Sequence, residues 1–401
     1  MASIEDRWYR RVNGRLVPTD RKDRGLRWRA RWIDPEGRER GRSFSRKTDA
    51  EKFLTEIEHS KIKGTYLDPD AGRITLRARV PHWLATRTCG PTTRASIEKR
   101  VTKHLLSSNL ADKRLNQIAP SMVSAWVAGL PVGASYTQHL LADLSSILDQ
   151  AVADSLIGRN PCLNATVRAP RVVRRKVVPW TREQVAAVRA GLPERYRAMV
   201  DAGAGCGLRQ GEIFGLALSE IDFLRRVIHL QLQVALDLGV HPVFAPPKAG
   251  KQRDVPLPQS VALALAAHIE KFPPRAVTLP WRTRDGRPRT EQLLFTGIKG
   301  GAVAKDVFNR TAWRPARRGA RIPEGREAGM HQLRHHYASV LLRGGIDVRR
   351  LSEYLGHHSP SITLNTYSHL IPDDEERSLR EIEQALQAPA DESGPAAEGQ
   401  A

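Results

Sequence analysis

Cysteine is scarce in this 401-residue chain: Cys89, Cys162 and Cys206 stand far apart, and none belongs to a C-x-x-C pair. An odd, scattered set argues against a disulfide framework and against a thiolate zinc site, and a reducing cytoplasm is the expected home. Long apolar runs are missing too. No stretch approaches the roughly 18 consecutive apolar residues that a membrane span needs. The opening MASIEDRWYRR carries charge but no apolar centre, so no signal peptide is read there. Acid is in short supply, with 43 Asp and Glu against 64 Lys and Arg, a formal charge of +21. Wholesale disorder is excluded, because 40% of the residues are hydrophobic and the charged share, 27%, is ordinary for a globular protein.

The basic surplus is unevenly spread. Residues 373–401 hold nine acids and two arginines, a local −7, so the other 372 residues carry +28. Such a body favours a polyanionic partner, most simply nucleic acid. Arginine supplies 50 of the 64 bases, and a GC-rich gene could bias that choice over lysine. It would not create an excess of base over acid.

The length suits two or three domains, and the chain reads as multidomain α+β. Residues 1–70 predict a small sheet packed on one helix. Leu26, Trp28, Ala30 and Trp32 alternate with Arg27, Arg29 and Arg31. A period of two gives a strand one apolar face and one arginine face. Asp34-Pro35-Glu36-Gly37 is turn chemistry, and Arg38, Arg40 and Arg42 carry the alternation on toward Phe44. Thr48 and Glu51 form a candidate capping box for a helix bearing Phe53, Leu54 and Ile57. The arginine face is either solvated or a DNA-groove or backbone contact.

Residues 74–158 predict helices only, over 75–86, 92–107, 121–129 and 135–157. Leu140, Leu141, Leu144, Ile147, Leu148 and Val152 form the apolar side of the last. Residues 159–180 hold Pro161, Pro170 and Pro179 with Arg171, Arg174, Arg175 and Lys176, the composition of a basic linker, either a strap over phosphates or simply solvated. Residues 181–372 form the largest unit. It opens with a Thr181/Gln184 capping box and helices to about Leu218, then three β segments near 226–236, 241–245 and 252–257. The rest is mainly helical, with a basic loop around 275–290. In the tail, 373–401, Leu379, Ile382 and Leu386 share a helical face, and 388–401 have the composition of a disordered end.

Five short segments in the largest unit carry the chemistry. They are Gly207-Leu208-Arg209-Gln210-Gly211-Glu212; Pro246-Pro247-Lys248, leading through Lys251 to Arg253-Asp254-Val255-Pro256-Leu257; His331-Gln332-Leu333-Arg334-His335-His336-Tyr337; Leu355-Gly356-His357-His358; and Asn365-Thr366-Tyr367-Ser368-His369. Arg209 and Glu212 lie three apart, so the carboxylate can steady the guanidinium. Phosphodiester cleavage needs a nucleophile, cations on the phosphoryl oxygens and a proton for the leaving oxygen. Arginine forks suit the non-bridging oxygens, lysine or histidine can move protons, and tyrosine can form the covalent bond.

In this order the five segments resemble the tyrosine recombinases, the phage-integrase family of site-specific DNA recombinases. The overall layout resembles the lambda-type integrases of actinobacterial phages and integrative elements. The resemblance implies that 1–70 bind arm-type DNA sites, 74–158 bind core sites and 181–372 catalyse. It implies that Tyr367 attacks the scissile phosphate, giving a 3′-phosphotyrosine and a free 5′-hydroxyl. Arg209 and Arg334 would hold the non-bridging oxygens, Lys248 would protonate the leaving oxygen, His331 would act as general base and orienting group, and His357 would bond the phosphate. Glu212 would support Arg209. Arg27, Arg29, Arg31, Arg174, Arg175 and Lys176 are the candidate DNA contacts. The implied partners are duplex attachment-site DNA, three further copies in a tetramer, a host DNA-bending factor and an excisionase. No cofactor is implied, and the place of action is the nucleoid in the cytoplasm of a prokaryotic host. The family often has Asp where this chain has Gln332.

Other readings stay open at this point. Lys251 could replace Lys248, and His358 could replace His357. His331, His335 and His336, with His357 and His358, could instead form a metal cluster, His331 and His335 being four apart on a helix. The tail stripe could cap its own domain or dock on a neighbouring subunit. As a whole the chain could be a DNA-binding regulator without catalysis, or a type IB topoisomerase-like enzyme.

Overall fold

This computed structural model describes residues 2–64, 66–68, 70–173, 176–250, 252–325 and 328–371, with 379, 382, 383, 385 and 386 in the tail. The chain divides into two compact units, Met1–Val173 and Arg174–Ala401. Every strand pair among the described residues is antiparallel.

In the first unit, Trp28–Ile33 is the centre of a three-stranded sheet between Ser3–Asp6 and Glu39–Phe44. Period-two burial follows the alternation in the sequence: Ala30 and Trp32 pack under the Lys47–Ile62 helix through Ala50, Leu54 and Ile57. The turn closes as its residues predict, with Gly37 at φ 82° and the Asp34 carboxylate accepting from Arg38 N at 2.8 Å. Register corrects the second half of the arginine reading. Ala30 lies opposite Arg42, and Trp32 opposite Arg40. Arg40 and Arg42 therefore project from the helix-covered face, where Arg40 pairs with Asp34 and Asp68 and Arg42 lies over the Phe44 and Phe53 rings. The Thr48 capping box is also corrected. The helix starts at Lys47 and its N-cap, Arg46, has no side-chain cap bond. A second hairpin, Tyr9–Val12 with Arg15–Pro18, turns at Asn13 and Gly14, both with positive φ as a two-residue hairpin requires.

The helices Leu76–Thr86, Pro91–His104, Pro120–Ala128 and Ala134–Ala153 bury a common core around Trp83, Val101, Leu144, Ile147 and Leu148. The last helix ends earlier than the expected 157, and the chain leaves it through Ser155 at φ 56°.

The second unit opens with helices Arg182–Gly191 and Glu194–Cys206, the first with both hydrogen bonds of the Thr181/Gln184 capping box. The expected strand over 226–236 is two strands. Val227–Leu230 joins a sheet with Ile221–Asp222 and Arg253–Pro256, whereas Gln233–Asp237 pairs with His241–Ala245. The buried Glu220 carboxylate accepts from Gln231 N and Leu232 N, the two residues at that break. The basic loop expected at 275–290 is largely a hairpin, Arg275–Pro280 with Pro288–Leu293. Prolines end the pairing at Pro280 opposite Pro288, and Val277 and Leu293 reach the core. Helices Gln259–Lys271, His331–Arg343, Val348–Leu355 and Pro360–Tyr367 complete the unit. The five described tail residues are helical, and Leu379, Ile382 and Leu386 are exposed.

Candidate active site

The site grows from helix ends. Glu194–Cys206 terminates at Gly207, φ 65°, where a Cβ would lie 2.5 Å from the Tyr337 ring, so both conformation and space require glycine. The Gly207 carbonyl then accepts from Arg334 Nη1 at 2.9 Å. Arg209 caps the next short helix, Gln210–Phe214. Its backbone N–H donates to Glu212 Oε2 and its Nη1 to Glu212 Oε1, both at 2.8 Å, while Nη2 reaches Gly356 O at 3.1 Å.

Glu212 is fully buried between two guanidiniums. Arg253 clasps it with Nη1 to Oε1 at 2.9 Å and Nη2 to Oε2 at 2.7 Å, and adds Nε to Tyr354 O at 2.7 Å. Burial alone would raise this carboxyl, but the Arg253 hydrogen bonds and the charges of Arg253 and Arg209 hold it down to about 2. Arg253 thus ties the strand after the Lys248 turn to the end of Val348–Leu355. There Gly356, φ 59°, turns the chain toward His357.

Arg334 sits one turn into His331–Arg343 and is 1% exposed. Its Nη2 donates to Leu355 O. Burial, then the neighbouring Arg209, pushes its guanidinium down to about 9. The same forces act on the imidazoles. His331 keeps an open surface, yet packing around the ring followed by Arg334, Arg209 and Lys248 lowers it to about 4. His357 falls to about 3 through burial, Arg334 and Arg209, and its Nδ1 lies 2.8 Å from Thr363 Oγ1. These mutual effects place Arg209, Arg334, His331 and His357 around one strongly cationic centre. Lys248, on the exposed turn Lys248–Gly250, is close enough to act on His331.

Tyr367 ends the Pro360–Tyr367 helix, 2% exposed, with its hydroxyl 2.8 Å from His335 Nδ1. Burial raises the phenol to about 12 although Arg334 and Arg209 draw it down, so it is a neutral donor at pH 7. His335 is lowered to about 3 by burial, His331 and Arg334, and is neutral as well.

The structure therefore brings Arg209, Glu212, Lys248, His331, Arg334, His357 and Tyr367 into one neighbourhood. Arg253 and His335 are the members that the sequence did not single out for this chemistry. Arg253 gave no local signal inside an alternating strand. In the sequence, His335 shares a helical face with His331 and reads only as a metal ligand. Among the described residues, no three His, Cys, Asp or Glu side chains gather as a metal-holding group. Gln332 is buried with its Oε1 unpaired, and Arg334 Nε is buried and unpaired too. Of the DNA-contact candidates in the first unit, Arg27 holds Asp6 at 2.9 Å and Arg31 pairs with Glu5 and Glu39. Lys176 is exposed, while Arg174, Arg175 and the alternative Lys251 lie outside the described residues.

Residues 182–373 match the phage integrase family. A putative prophage phiRv2 integrase of Mycobacterium tuberculosis is 28% identical over 354 residues, 86% of this chain and 88% of that one. In fold, the chain is similar to the Tn1549 transposon integrase in complex with transposon right end DNA. That match has a TM-score of 0.66 at 19% identity and covers 78% of this chain and all of that one. It is also similar to a lambda integrase tetramer bound to a Holliday junction, with a TM-score of 0.56 at 16% identity, covering 86% and 93%. With the five segments gathered as described, and 182–373 matched as a block, residues 182–373 of this chain belong to the phage integrase family, the tyrosine-type site-specific DNA recombinases.

Proposed function

We propose that this chain is an integrase that cuts and rejoins duplex DNA through a 3′-phosphotyrosine, integrating or excising a mobile element. The observation that carries the scheme is one sheltered phenol, Tyr367, within electrostatic reach of Arg209 and Arg334. Tyr367 attacks the scissile phosphorus. Arg209 and Arg334 hold the non-bridging oxygens, and the charge that builds there in the transition state meets fixed cations rather than water. His357 bonds the phosphate, and His331 orients it. Lys248, on its exposed turn, moves onto the leaving 5′-oxygen and protonates it. Glu212 fixes Arg209. A 5′-hydroxyl from a second duplex reverses the step.

The domain roles follow the same reading. Residues 1–70 bind arm sites through Arg27, Arg29 and Arg31, 74–158 bind core sites, 159–180 are a basic linker with Arg174, Arg175 and Lys176 along phosphates, and 181–372 catalyse. Four copies act together on two DNA duplexes in a prokaryotic cytoplasm, and the tail after 372 docks on a neighbouring copy. A host bending factor and an excisionase set the direction. The test is Tyr367→Phe on a nicked suicide substrate. The variant is expected to bind attachment-site DNA as the wild type does and to form no covalent adduct. Adduct formation by it would remove Tyr367 from the nucleophilic role.

A further inference from the structure

The phenol of Tyr367 does not rest against a phosphate-binding cation. Its hydroxyl lies 2.8 Å from His335 Nδ1, with the two rings meeting edge to face at 5.5 Å and 65°. His335 stands one helical turn from His331, whose ring meets it at 4.7 Å and 86°. The phenol is buried, so this imidazole takes the place of solvent as its proton acceptor. Other histidines of this unit are engaged elsewhere: His357 Nδ1 with Thr363, His336 Nδ1 with Trp180 O and His369 Nε2 with Val177 O.

We infer that His335, in place of His331, takes the phenolic proton of Tyr367 as its oxygen attacks phosphorus, and is thus the catalytic base of the cleavage step, while His331 orients the phosphate. The inference rests on Tyr367 being the nucleophile. Nδ1 accepts from the phenol when the ring carries its proton on Nε2. In the step, the Tyr367 O–P bond forms and the P–O5′ bond breaks. The phenol proton passes to His335 Nδ1, and the Lys248 ammonium gives a proton to O5′. Rejoining returns both protons, so the two groups exchange roles with no net consumption and no redox change.

The groups facing this imidazole are His331 and Arg334 on its own helix, and Tyr367 with its neighbour Arg209 across the site. Burial, then His331 and Arg334, keep His335 a weak base. A phosphodiester anion placed between Arg209 and Arg334 offsets their charge, and the basicity of the ring recovers when it is needed.

The experiment is single-turnover adduct formation on a suicide substrate, with oxygen or sulfur at the bridging 5′ position, from pH 5 to 9. A sulfur leaving group needs no proton, so it isolates the attack step. For wild type on the sulfur substrate, the rate is expected to rise with pH and reach a plateau near neutrality. A tenfold rise per pH unit continuing to pH 9 would show no base and overturn the inference. His335→Gln, which can still hydrogen-bond the phenol but takes no proton, is expected to bind core DNA normally. It should cleave about 10²-fold more slowly or worse on both substrates and lose the plateau. Lys248→Ala should be slow on oxygen and largely restored on sulfur. Added imidazole should accelerate His335→Ala. A His335→Gln rate within threefold of wild type with an unchanged profile, or a His335→Gln defect relieved by sulfur, would overturn the assignment. Failure of the underlying reading looks different: wild type would form no adduct, or Tyr367→Phe would form one.

Discussion

At the scale of single residues, the site depends on a carboxylate shared by two guanidiniums. Glu212 has no contact with solvent, and Arg253 and Arg209 both bond it. Removing one partner of a buried pair leaves an uncompensated charge, a loss of about 3–5 kcal/mol. Arg253→Leu is therefore expected to lower the stability of the second unit by about that much, measured by denaturant unfolding. It should also slow cleavage more than it weakens DNA binding, because Arg209 loses the partner of its anchor. A stability change under 1 kcal/mol would contradict this reading of the triad. The five sequence segments made the charged centre legible because each phosphate-chemistry residue sits in a short, dense pattern. Arg253 was hidden because its role depends on a partner 41 residues away. His335 was hidden because a period of four is shared by ligands, relays and plain helix faces.

At the scale of elements, packing decided what local patterns left open. Thr48 could cap a helix in principle, yet the helix begins one residue earlier, at Lys47. Arginine density and flanking prolines made 275–290 read as a loop, but Val277 and Leu293 have a core to enter, and the hairpin forms. The break in the 226–236 stretch is pinned by Glu220, which accepts from Ala217 N as well as from Gln231 N and Leu232 N. Burial raises this carboxyl to about 7, although those three backbone donors lower it. A folded-state pKa above the unfolded value of 4.5 means the native state takes up a proton first as pH falls. Stability from this group is thus gained as pH drops through 7 toward 4.5, and is absent above the folded pKa. Glu220→Gln removes that gain. The variant should compare worst with wild type at low pH, its deficit growing by on the order of 2 kcal/mol from pH 8 to pH 5.5 in paired denaturation curves. A deficit independent of pH would contradict it.

At the scale of the whole molecule, the charge ledger and the fold point the same way. The acidic residues after 372 leave +28 on the rest of the chain. In the first unit, the alternation of residues 28–32 correctly placed the apolar face, whereas Leu26 lies before the strand and is exposed; register sent Arg40 and Arg42 to the covered side, so the open arginine face is smaller than the sequence suggests. Arg29 and Arg31 remain its centre, and Arg31 already meets Glu5 and Glu39. The double variant Arg29→Ala with Arg31→Ala is expected to weaken arm-site binding about tenfold and flatten its salt dependence by about two phosphate contacts. Core-site binding should be spared. Equal losses at both kinds of site, measured by titration at two salt concentrations, would contradict a separate arm-binding role. The four helices between residues 74 and 158 were legible from their periodicity. The placement of individual arginines was not, because register is set by pairing between strands rather than within one.

The central claim is that one phenol of this chain becomes bonded to DNA. Trapping wild-type protein on a nicked attachment site, digesting it and sequencing the DNA-linked peptide by mass spectrometry tests that claim directly. The account predicts a single adduct on the peptide carrying Tyr367, joined to a 3′-phosphate, with a free 5′-hydroxyl on the released strand. A linkage through any other residue, or a 5′-phosphate attachment, would contradict it.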